Sequence, residues 1–428
     1  MGSAREAALT ALQKWRKNGA WSDAALSAAI TRGGLDARDA AFASRLCYGT
    51  LQNLALLDYY IAAFSTTPPK KLEPKVMDIL RISVYQIAFL DRVPPHAAVS
   101  EAVTLCRKCG CARAAGLVNA VLRRVTERRD ALPEVPGADT ADHLAIRYSH
   151  PLWLVREWID AHGYDFAEAA LRADNAPAPA CLQTNTLRTD VNTLETALRA
   201  AGLEVRRHPQ LADALLCEGG NPIASEAFQS GWFYVQDAAA RYAVLAANLQ
   251  PGMTVLDACA APGGKSFAAA MQLRGRGSIL ACDMHENKLR RVREGAQRLG
   301  LTMIDTAAMD ARMPDAALHG RFDVVLADVP CSGLGVIRKK PEIRYKDPAE
   351  LEGLPAVQRA ILDGLAPCVR PGGVLLYSTC TVRRCENEDV VRAFLQAHPD
   401  FEPEEMRTFW PHLDGTDGFF ICRLRSRA

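Results

Sequence analysis

The chain has 428 residues, of which 49% are apolar and 23% are charged, and its formal net charge is +2. This length exceeds one ordinary hydrophobic core and predicts two or three domains, and the composition is that of a globular protein rather than a disordered one. The sequence has no run of 18 apolar residues and no apolar signal core near its start, so we expect a cytoplasmic protein with no membrane partner.

The first third of the chain shows helical periodicity and almost no strand pattern. Apolar residues recur at helical spacing in AREAALTALQKW and in PKVMDILRISVYQIAFL, and the pairs Pro68-Pro69 and Pro94-Pro95 stand where helices must stop. We therefore predict an all-helical bundle over residues 1–135. The weakly patterned, proline-containing stretch after it is typical of a linker.

Positive charge is concentrated in this helical part. Residues 1–130 hold 19 Lys and Arg against 11 Asp and Glu, whereas the rest of the chain has an excess of acids. Such a surface suits the phosphates of a nucleic acid, and an ordinary solvated helical surface explains it equally well. Both interpretations stay open for the arginines near the end of the bundle, which are Arg123, Arg124, Arg128 and Arg129.

Two further patterns divide the remaining residues. Residues 140–238 alternate strand, helix and strand, which predicts a small α+β module. In residues 239–428, near-continuous apolar strands alternate with amphipathic helices. This regular alternation predicts an α/β domain with a Rossmann-like, doubly wound parallel sheet.

The stretch VLDACAAPGGKS, residues 255–266, predicts a cofactor site. Asp257 ends a strand and a turn of small residues follows it, which is where ligands of open α/β sheets bind. The next strand ends in Asp283, where an acid would hold a ribose, and Asp310 follows a further apolar stretch and could meet an adenine ring. Because the turn has neither dinucleotide nor Walker spacing, a nucleoside cofactor without pyrophosphate, such as S-adenosylmethionine, fits best.

Two cysteines lie just past apolar strands, Cys331 in ADVPCSGLG and Cys380 in YSTCT. A free cysteine is usually a small buried hydrophobe, but neighbouring parallel strands lie only about 4.8 Å apart and would bring these thiols into one cleft. Methylation of a pyrimidine carbon calls for this arrangement, because C5 of cytosine becomes nucleophilic only after a thiolate adds at C6. Asp328, shortly before the first cysteine, would stabilise charge on the ring.

The motifs DACAAPGGK, DVPCSGLGVIRKKPEIRY, YSTCT followed by EN, and DGTDGFF together resemble the RNA cytosine-5 methyltransferase family. Within that family, the whole chain is similar to the bacterial RsmB (Sun) enzymes, which methylate 16S ribosomal RNA. The segments VPPHAAVSEAV and LVNAVLRRV resemble NusB, a helical RNA-binding factor. The resemblance implies cytosine-5 methylation of 16S ribosomal RNA with S-adenosylmethionine as cofactor.

The same resemblance implies roles for single residues. Cys380 would be the nucleophile, and Cys331 would assist the release of the covalent adduct. Asp328 would serve both the chemistry and the cofactor. The other cofactor residues would be Asp283, Asp310 and the turn made of Cys259, Ala260, Ala261, Pro262, Gly263, Gly264 and Lys265.

Four other cysteines receive no functional role from the sequence. Cys106, Cys109 and Cys111 lie close together, but no second ligand pair stands at zinc spacing, so we predict chance thiols and no metal. Cys385 stands in TVRRCENED, where the family often has a proline, and we assign it no catalytic role.

The alternative functions are a tRNA cytosine-5 methyltransferase and a non-catalytic NusB-like RNA-binding factor. We expect a monomer.

Overall fold

The computed structural model describes residues 2–19 and 22–427. The chain folds into two compact units. Unit 1 contains the residues up to Ala176 and the short segment Lys339–Tyr345, and unit 2 contains Pro177–Arg338 and the residues from Lys346 onward. Within the described ranges, no helix is both long enough and apolar enough to cross a membrane.

Unit 1 is helical, as the sequence predicts, and its described residues contain no strand. The first helices are α1 (Ala4–Asn18), α2 (Ser22–Gly33), α3 (Ala37–Gln52), α4 (Leu54–Phe64) and α5 (Pro74–Phe89). The following ones are α6 (Pro95–Lys108), α7 (Ala115–Glu127), α8 (Ala141–Arg147), α9 (Leu152–His162) and α10 (Tyr164–Asp174).

Local signals explain where several of these helices begin. Ser3 and Glu6 form a capping box at α1, because each side chain accepts a hydrogen bond from the backbone N–H of the other residue at 3.2 and 3.1 Å. Helices α5 and α6 begin at Pro74 and Pro95, where a missing N–H costs nothing. Their apolar faces meet in one core, which includes the fully buried Leu46, Ile79, Val118 and Leu122.

One arginine anchors the segment from later in the sequence within unit 1. The side chain of Arg344 is completely buried, and it donates to the backbone carbonyls of Tyr148 and Ser149 at 3.1 and 3.2 Å. It also donates to the amide oxygen of Asn175 at 2.9 Å. The carbonyl of Tyr148 lies at the end of α8, where a helix leaves its last carbonyls without a partner of its own, and Asn175 directly follows α10.

Unit 2 contains a small antiparallel sheet at its start. The strands are β1 (Ala180–Thr184), β2 (Val205–Arg207), β3 (Ala214–Cys217) and β4 (Phe233–Val235), and the helices between them are α11 (Val191–Ala200) and α12 (Glu226–Gln229). The order across the sheet is β2-β3-β1-β4. This is the small α+β module that the sequence predicts.

The larger sheet of unit 2 carries the candidate site. Its strands are β5 (Thr254–Asp257), β6 (Ser278–Asp283), β7 (Ile304–Ala308), β8 (Phe322–Asp328), β9 (Val369–Thr379), β10 (Phe401–Phe409) and β11 (Phe419–Ser426). The order across the sheet is β10-β11-β9-β8-β5-β6-β7. Its helices are α13 (Ala238–Ala246), α14 (Gly264–Gln272), α15 (Glu286–Leu299), α16 (Leu354–Leu365), α17 (Glu388–Ala397) and α18 (Pro411–Asp414).

Burial on both faces explains the near-continuous apolar strands of this sheet. In β8, Val324 packs into one apolar cluster with Phe267 of α14, and the next residue, Val325, packs into a second cluster with Leu362 of α16. Every residue of such a strand therefore meets a covered surface, so no polar alternation appears in its sequence.

The structure refines two of the predictions. The α/β domain with a Rossmann-like sheet is confirmed, but the sheet is mixed rather than parallel, because β11 runs antiparallel to both β9 and β10. The division into domains at residues 1–135, 140–238 and 239–428 stays a prediction. In the structure, α8 packs against α4, and helices α8 to α10 all belong to unit 1.

Candidate active site

The turn after β5 leads from a buried acid to the start of α14. Asp257 is fully buried, and its Oδ2 accepts a 2.6 Å hydrogen bond from the hydroxyl of Ser266. Gly263 has a φ of 115°, a conformation that glycine adopts at little cost. A Cβ added to Gly264 would lie only 3.1 Å from the amide nitrogen of Gln236. This close approach of neighbouring groups explains why the turn consists of small residues.

The turn lines a cavity of about 180 Å³. Two buried oxygen atoms of its lining residues, Oδ1 of Asp257 and Oε1 of Gln236, accept no hydrogen bond within the described residues. Burial raises the pKa of Asp257 to about 6, although the hydrogen bond from Ser266 and the charge of Lys265 act in the opposite direction. The lining residues are Val235, Gln236, Ala240, Asp257, Cys259, Ala260, Ala261, Pro262, Gly264, Lys265 and Asp328.

Two predicted cofactor residues, Asp283 and Asp310, are not among the residues that line this cavity. Asp283 ends β6, next to β5, and its carboxylate accepts a hydrogen bond from the backbone N–H of His285 at 3.0 Å. Asp310 follows β7, and the guanidinium of Arg312 holds its carboxylate at 2.9 and 2.6 Å, which lowers the pKa of Asp310. To bind a cofactor, Asp310 would have to share its carboxylate with that arginine.

Asp328 connects the cavity with the ends of β8 and β9. Its Oδ2 pairs with Nζ of Lys265 at 2.7 Å, and its Oδ1 accepts a 2.9 Å hydrogen bond from Ser378, its register partner in β9. Burial disfavours the charge on Lys265, but the carboxylates of Asp328 and Asp257 outweigh it and raise the pKa of Lys265. This lysine therefore stays a cation at the border of the cavity.

The two cysteines predicted to share a cleft do lie together. The Sγ atoms of Cys331 and Cys380 are 3.2 Å apart and form a hydrogen bond, and both residues are half-buried. That bond lowers the pKa of Cys380, with burial opposing it and Lys265 assisting it. The same bond, together with burial, raises the pKa of Cys331. Of the two thiols, that of Cys380 is therefore the more acidic, even though the carboxylate of Asp328 acts against this shift.

The residues of the EN motif hold the loops that follow both cysteines. Glu386 is fully buried, and its Oε2 accepts a hydrogen bond from the backbone N–H of Ser332 at 2.8 Å. The amide of Asn387 donates to the carbonyl of Thr381 at 3.0 Å. Because Ser332 and Thr381 each follow one of the cysteines directly, these bonds position the two thiols.

An ion cluster that sequence reasoning missed supports the loop after β8. The guanidinium of Arg338 donates to the carboxylate of Asp417 at 2.7 Å and lies 3.6 Å from the carboxylate of Asp237. The backbone N–H of Asp417 also donates to Asp237 at 3.0 Å. The available signals were the segment VQDAAA, which also supplies Gln236 of the cavity, and the motif DGTDGFF.

A pair of glycines lets the same loop approach the second cysteine. The N–H of Gly335 donates to the carbonyl of Cys380 at 2.9 Å, and its own carbonyl accepts from the N–H of Gly418 at 2.7 Å. A Cβ added to Gly335 would lie 1.9 Å from the carbonyl oxygen of Gly418. No residue with a side chain fits at position 335 without moving this backbone.

The other cysteines singled out by the sequence form no metal site in the described residues. Cys106 and Cys111 are buried and Cys109 is half-buried, and no group of three His, Cys, Asp or Glu side chains in residues 2–19 and 22–427 is arranged to hold a metal ion. Cys385 is half-buried and lies in the short helical turn Arg384–Glu386.

Comparison with known proteins identifies the family. The family model described as 16S rRNA methyltransferase RsmB/F matches residues 244–425, the NusB family matches residues 2–127, and an RsmF/B-like ferredoxin-like domain matches residues 150–224. A Bacillus subtilis protein named "Probable ribosomal RNA small subunit methyltransferase B" is 39% identical over 446 residues, which cover 100% of this chain and 99% of that protein. The chain belongs to the RsmB family.

Further relatives agree with RsmB membership. Ribosomal RNA small subunit methyltransferase B of Vibrio cholerae is 35% identical over 90% of this chain and 89% of its own length. The crystal structure of PH0851 has a TM-score of 0.82 and 27% identity over 98% of both chains. A methyltransferase homologue from Pyrococcus horikoshii has a TM-score of 0.60 and 26% identity over 68% of this chain and 100% of its own. The RsmB/F match includes both cysteines of the site.

Proposed function

We propose that this protein transfers a methyl group from S-adenosylmethionine to C5 of a specific cytosine in 16S ribosomal RNA, through a covalent bond between Cys380 and C6. The observation that carries this proposal is the 3.2 Å contact between the sulfur atoms of Cys331 and Cys380, next to the Lys265–Asp328 ion pair. The names of the RsmB relatives support the ribosomal substrate.

The cavity after β5 has the features that S-adenosylmethionine requires. The unsatisfied oxygen atoms of Asp257 and Gln236 suit a ligand with a positively charged ammonium group. A side chain at position 264 would press against the amide of Gln236, so the glycine there keeps space for a ligand. Bound there, the cofactor supplies an electrophilic methyl group. The residues that would hold it are Asp257, Gln236, Lys265, Asp328 and the turn from Cys259 to Gly264, with Asp283 and Asp310 as further candidates.

The chain's own residues carry the chemistry on the cytosine ring. The Cys380 thiolate adds to C6, which makes C5 electron-rich enough to take up the methyl group. The negative charge that the addition puts on the ring is neutralised by a proton at N3. Asp328 lies within the same network, where its carboxylate can hold the ring by accepting a hydrogen bond from the exocyclic amine. A general base then takes the C5 proton, and the electron pair of that C–H bond re-forms the C5–C6 double bond and expels the thiolate of Cys380. The thiol of Cys331 stabilises the departing thiolate through the hydrogen bond that it makes at 3.2 Å.

Two substitutions test these roles. We expect Cys380→Ala to abolish methylation and to form no covalent complex. Cys331→Ala should trap the enzyme on its RNA, seen as a protein–RNA band that survives a denaturing gel. Cys385→Ala is the matched control, because it removes a half-buried thiol from the neighbouring loop and should leave turnover intact. Loss of the covalent band in Cys331→Ala alone would reverse the two roles.

The substrate is tested by mapping 5-methylcytosine in RNA from cells with and without this protein. We expect the loss of one methylated cytosine in 16S ribosomal RNA, restored by the wild-type gene and not by Cys380→Ala. Loss of a site in tRNA instead would support the tRNA enzyme, and no lost site at all would support the non-catalytic RNA-binding factor.

A further inference from the structure

A groove lies on unit 1 between α6 and α7, and its volume is about 550 Å³. Val99 and Val103 form an apolar part of its lining, and the other lining residues are polar or charged. Along α6, the groove is lined by His96, Ser100 and Arg107, whose spacing of four and seven residues puts them on one face of the helix. Along α7, it is lined by Asn119 and Arg123, again four residues apart. Each helix thus presents one stripe of hydrogen-bond donors to the same groove.

The groove lies in the most basic part of unit 1. Residues 107–129 contain seven Lys and Arg and a single acid, Glu127. Three of the seven cations are engaged elsewhere in unit 1: Lys108 with Glu6 at 2.7 Å, Arg124 with the carbonyl of Phe64 at 3.0 Å, and Arg129 with Asp91 at 2.8 Å.

The two arginines that line the groove are not engaged in this way. The side chains of Arg107 and Arg123 are exposed and make no hydrogen bond or ion pair with any described residue. Arg123 and Arg124 are adjacent in α7 but have different surroundings. Arg124 donates to the carbonyl of Phe64, whereas Arg123 lines the groove. The lining holds these two guanidinium groups and one carboxylate, that of Glu127. Its balance of charge is therefore positive, which attracts an anion.

We propose that this groove binds the phosphate backbone of the RNA on which the enzyme acts. The inference rests on the proposed function, which makes RNA the substrate. Guanidinium groups bind phosphate in a bidentate manner, and the side chains of Asn119, His96 and Ser100 offer hydrogen bonds for ribose hydroxyls. No Phe, Tyr or Trp is among the residues that line the groove, so it lacks the large stacking platforms on which bases lie.

A salt titration of RNA binding tests this inference. The full-length double variant Arg107→Gln/Arg123→Gln is compared with the wild type by fluorescence anisotropy on two labelled single-stranded RNAs, a 16S fragment and a scrambled sequence. Removing two phosphate contacts should lower the slope of log K against log salt by about 1.4 and weaken binding about 20-fold at 0.1 M salt. Both RNAs should lose affinity by the same factor, because phosphates carry no sequence information.

The matched control is Arg124→Gln/Arg129→Gln, which removes the same charge from the same segment but leaves the groove lining intact. We expect its slope and affinity to stay close to those of the wild type, with circular dichroism showing that both variants fold. An equal loss in the two double variants would overturn the inference in favour of net charge alone. An unchanged slope in the groove variant would also overturn it, as expected if the groove served a protein. If the mapping experiment found no methylated cytosine that depends on this protein, the proposed function would be refuted, while this measurement of RNA binding would still stand.

Discussion

The acidity of Cys380 depends most on one neighbouring atom. The hydrogen bond from Cys331 is the largest cause of its lowered pKa, and it acts against burial. We expect Cys331→Ala to raise the pKa of Cys380 and so to reduce the thiolate fraction at a given pH. The rate at which iodoacetamide alkylates Cys380, followed by mass spectrometry of its peptide across a range of pH, should therefore reach its midpoint at higher pH. Cys331→Ser keeps a donor and should shift the midpoint less; an unmoved midpoint in Cys331→Ala would show that the donor has no such effect.

Asp257 is a second titrating residue at the candidate site, and we expect its charge to affect cofactor affinity. Burial raises its pKa to about 6, so its carboxylate is charged above that pH and takes up a proton below it. Since S-adenosylmethionine carries net positive charge, we expect affinity to be highest above pH 6 and to fall as the pH drops through 6. Calorimetric titration from about pH 5 to about pH 8 measures this trend. Asp257→Asn should bind weakly with little dependence on pH, and a wild type whose affinity is the same at both ends of the range would contradict the assignment.

At the scale of elements, the loop after β8 depends on a glycine contact. A Cβ at Gly335 would meet the carbonyl oxygens of Gly418 and Cys380 at 1.9 and 2.9 Å. We expect Gly335→Ala to displace the loop that carries Cys331 and to slow methyl transfer about 100-fold, because a small misplacement of reacting groups is costly. Gly353→Ala is the matched control, since no atom lies within 4 Å of a Cβ added there. Equal rates for the two variants, both shown to be folded, would mean that the contact is not needed.

The strands and loops of unit 2 differ in how far the sequence alone could predict them. The meeting of Cys331 and Cys380 followed from two apolar strands whose ends must coincide if they are neighbours in a parallel sheet, and β8 and β9 are such neighbours. The ion cluster of Arg338, Asp237 and Asp417 has no local pattern, because its members are 79 and 180 residues apart. Strand β10, FEPEEMRTF, lies at the edge of the sheet with six consecutive exposed residues, so it lacks the buried apolar pattern that predicts strands such as β8 and β9.

At the scale of the whole molecule, one motif of the sequence contributes to both units. The stretch DVPCSGLGVIRKKPEIRY includes Cys331 of unit 2, whereas its last seven residues, Lys339–Tyr345, belong to unit 1. Sequence position alone could not indicate this, because the assignment depends on buried contacts of Arg344 with residues almost 200 positions earlier. The basic KKPEIRY segment is thus part of the packing of unit 1 and is not simply a surface for RNA.

The packing of this segment leads to a prediction about stability. Arg344→Ala removes a completely buried side chain together with its hydrogen bonds to the carbonyls of Tyr148 and Ser149 and to the amide oxygen of Asn175. The two carbonyls keep a second donor each, the side-chain amide of Asn175 and the hydroxyl of Tyr345. Two nitrogen atoms of the guanidinium have no partner in the described residues, so its removal also relieves some desolvation. The lost hydrogen bonds and the cavity outweigh this relief, and we expect a loss of about 2–4 kcal/mol in the free energy of unfolding of unit 1.

Hydrogen exchange followed by mass spectrometry of the full-length protein can localise this loss. Peptides that cover the end of α8 and the start of α9 should exchange faster in Arg344→Ala, while peptides of the large sheet in unit 2 should keep their protection. Lys70→Ala is the control in unit 1, since the side chain of Lys70 is exposed and makes no hydrogen bond or ion pair with a described residue, and it should change neither set. If Arg344→Ala left the exchange of the α8 peptides unaltered, the buried hydrogen bonds of Arg344 would contribute nothing to the stability of unit 1, and residues 339–345 would be only loosely attached to it.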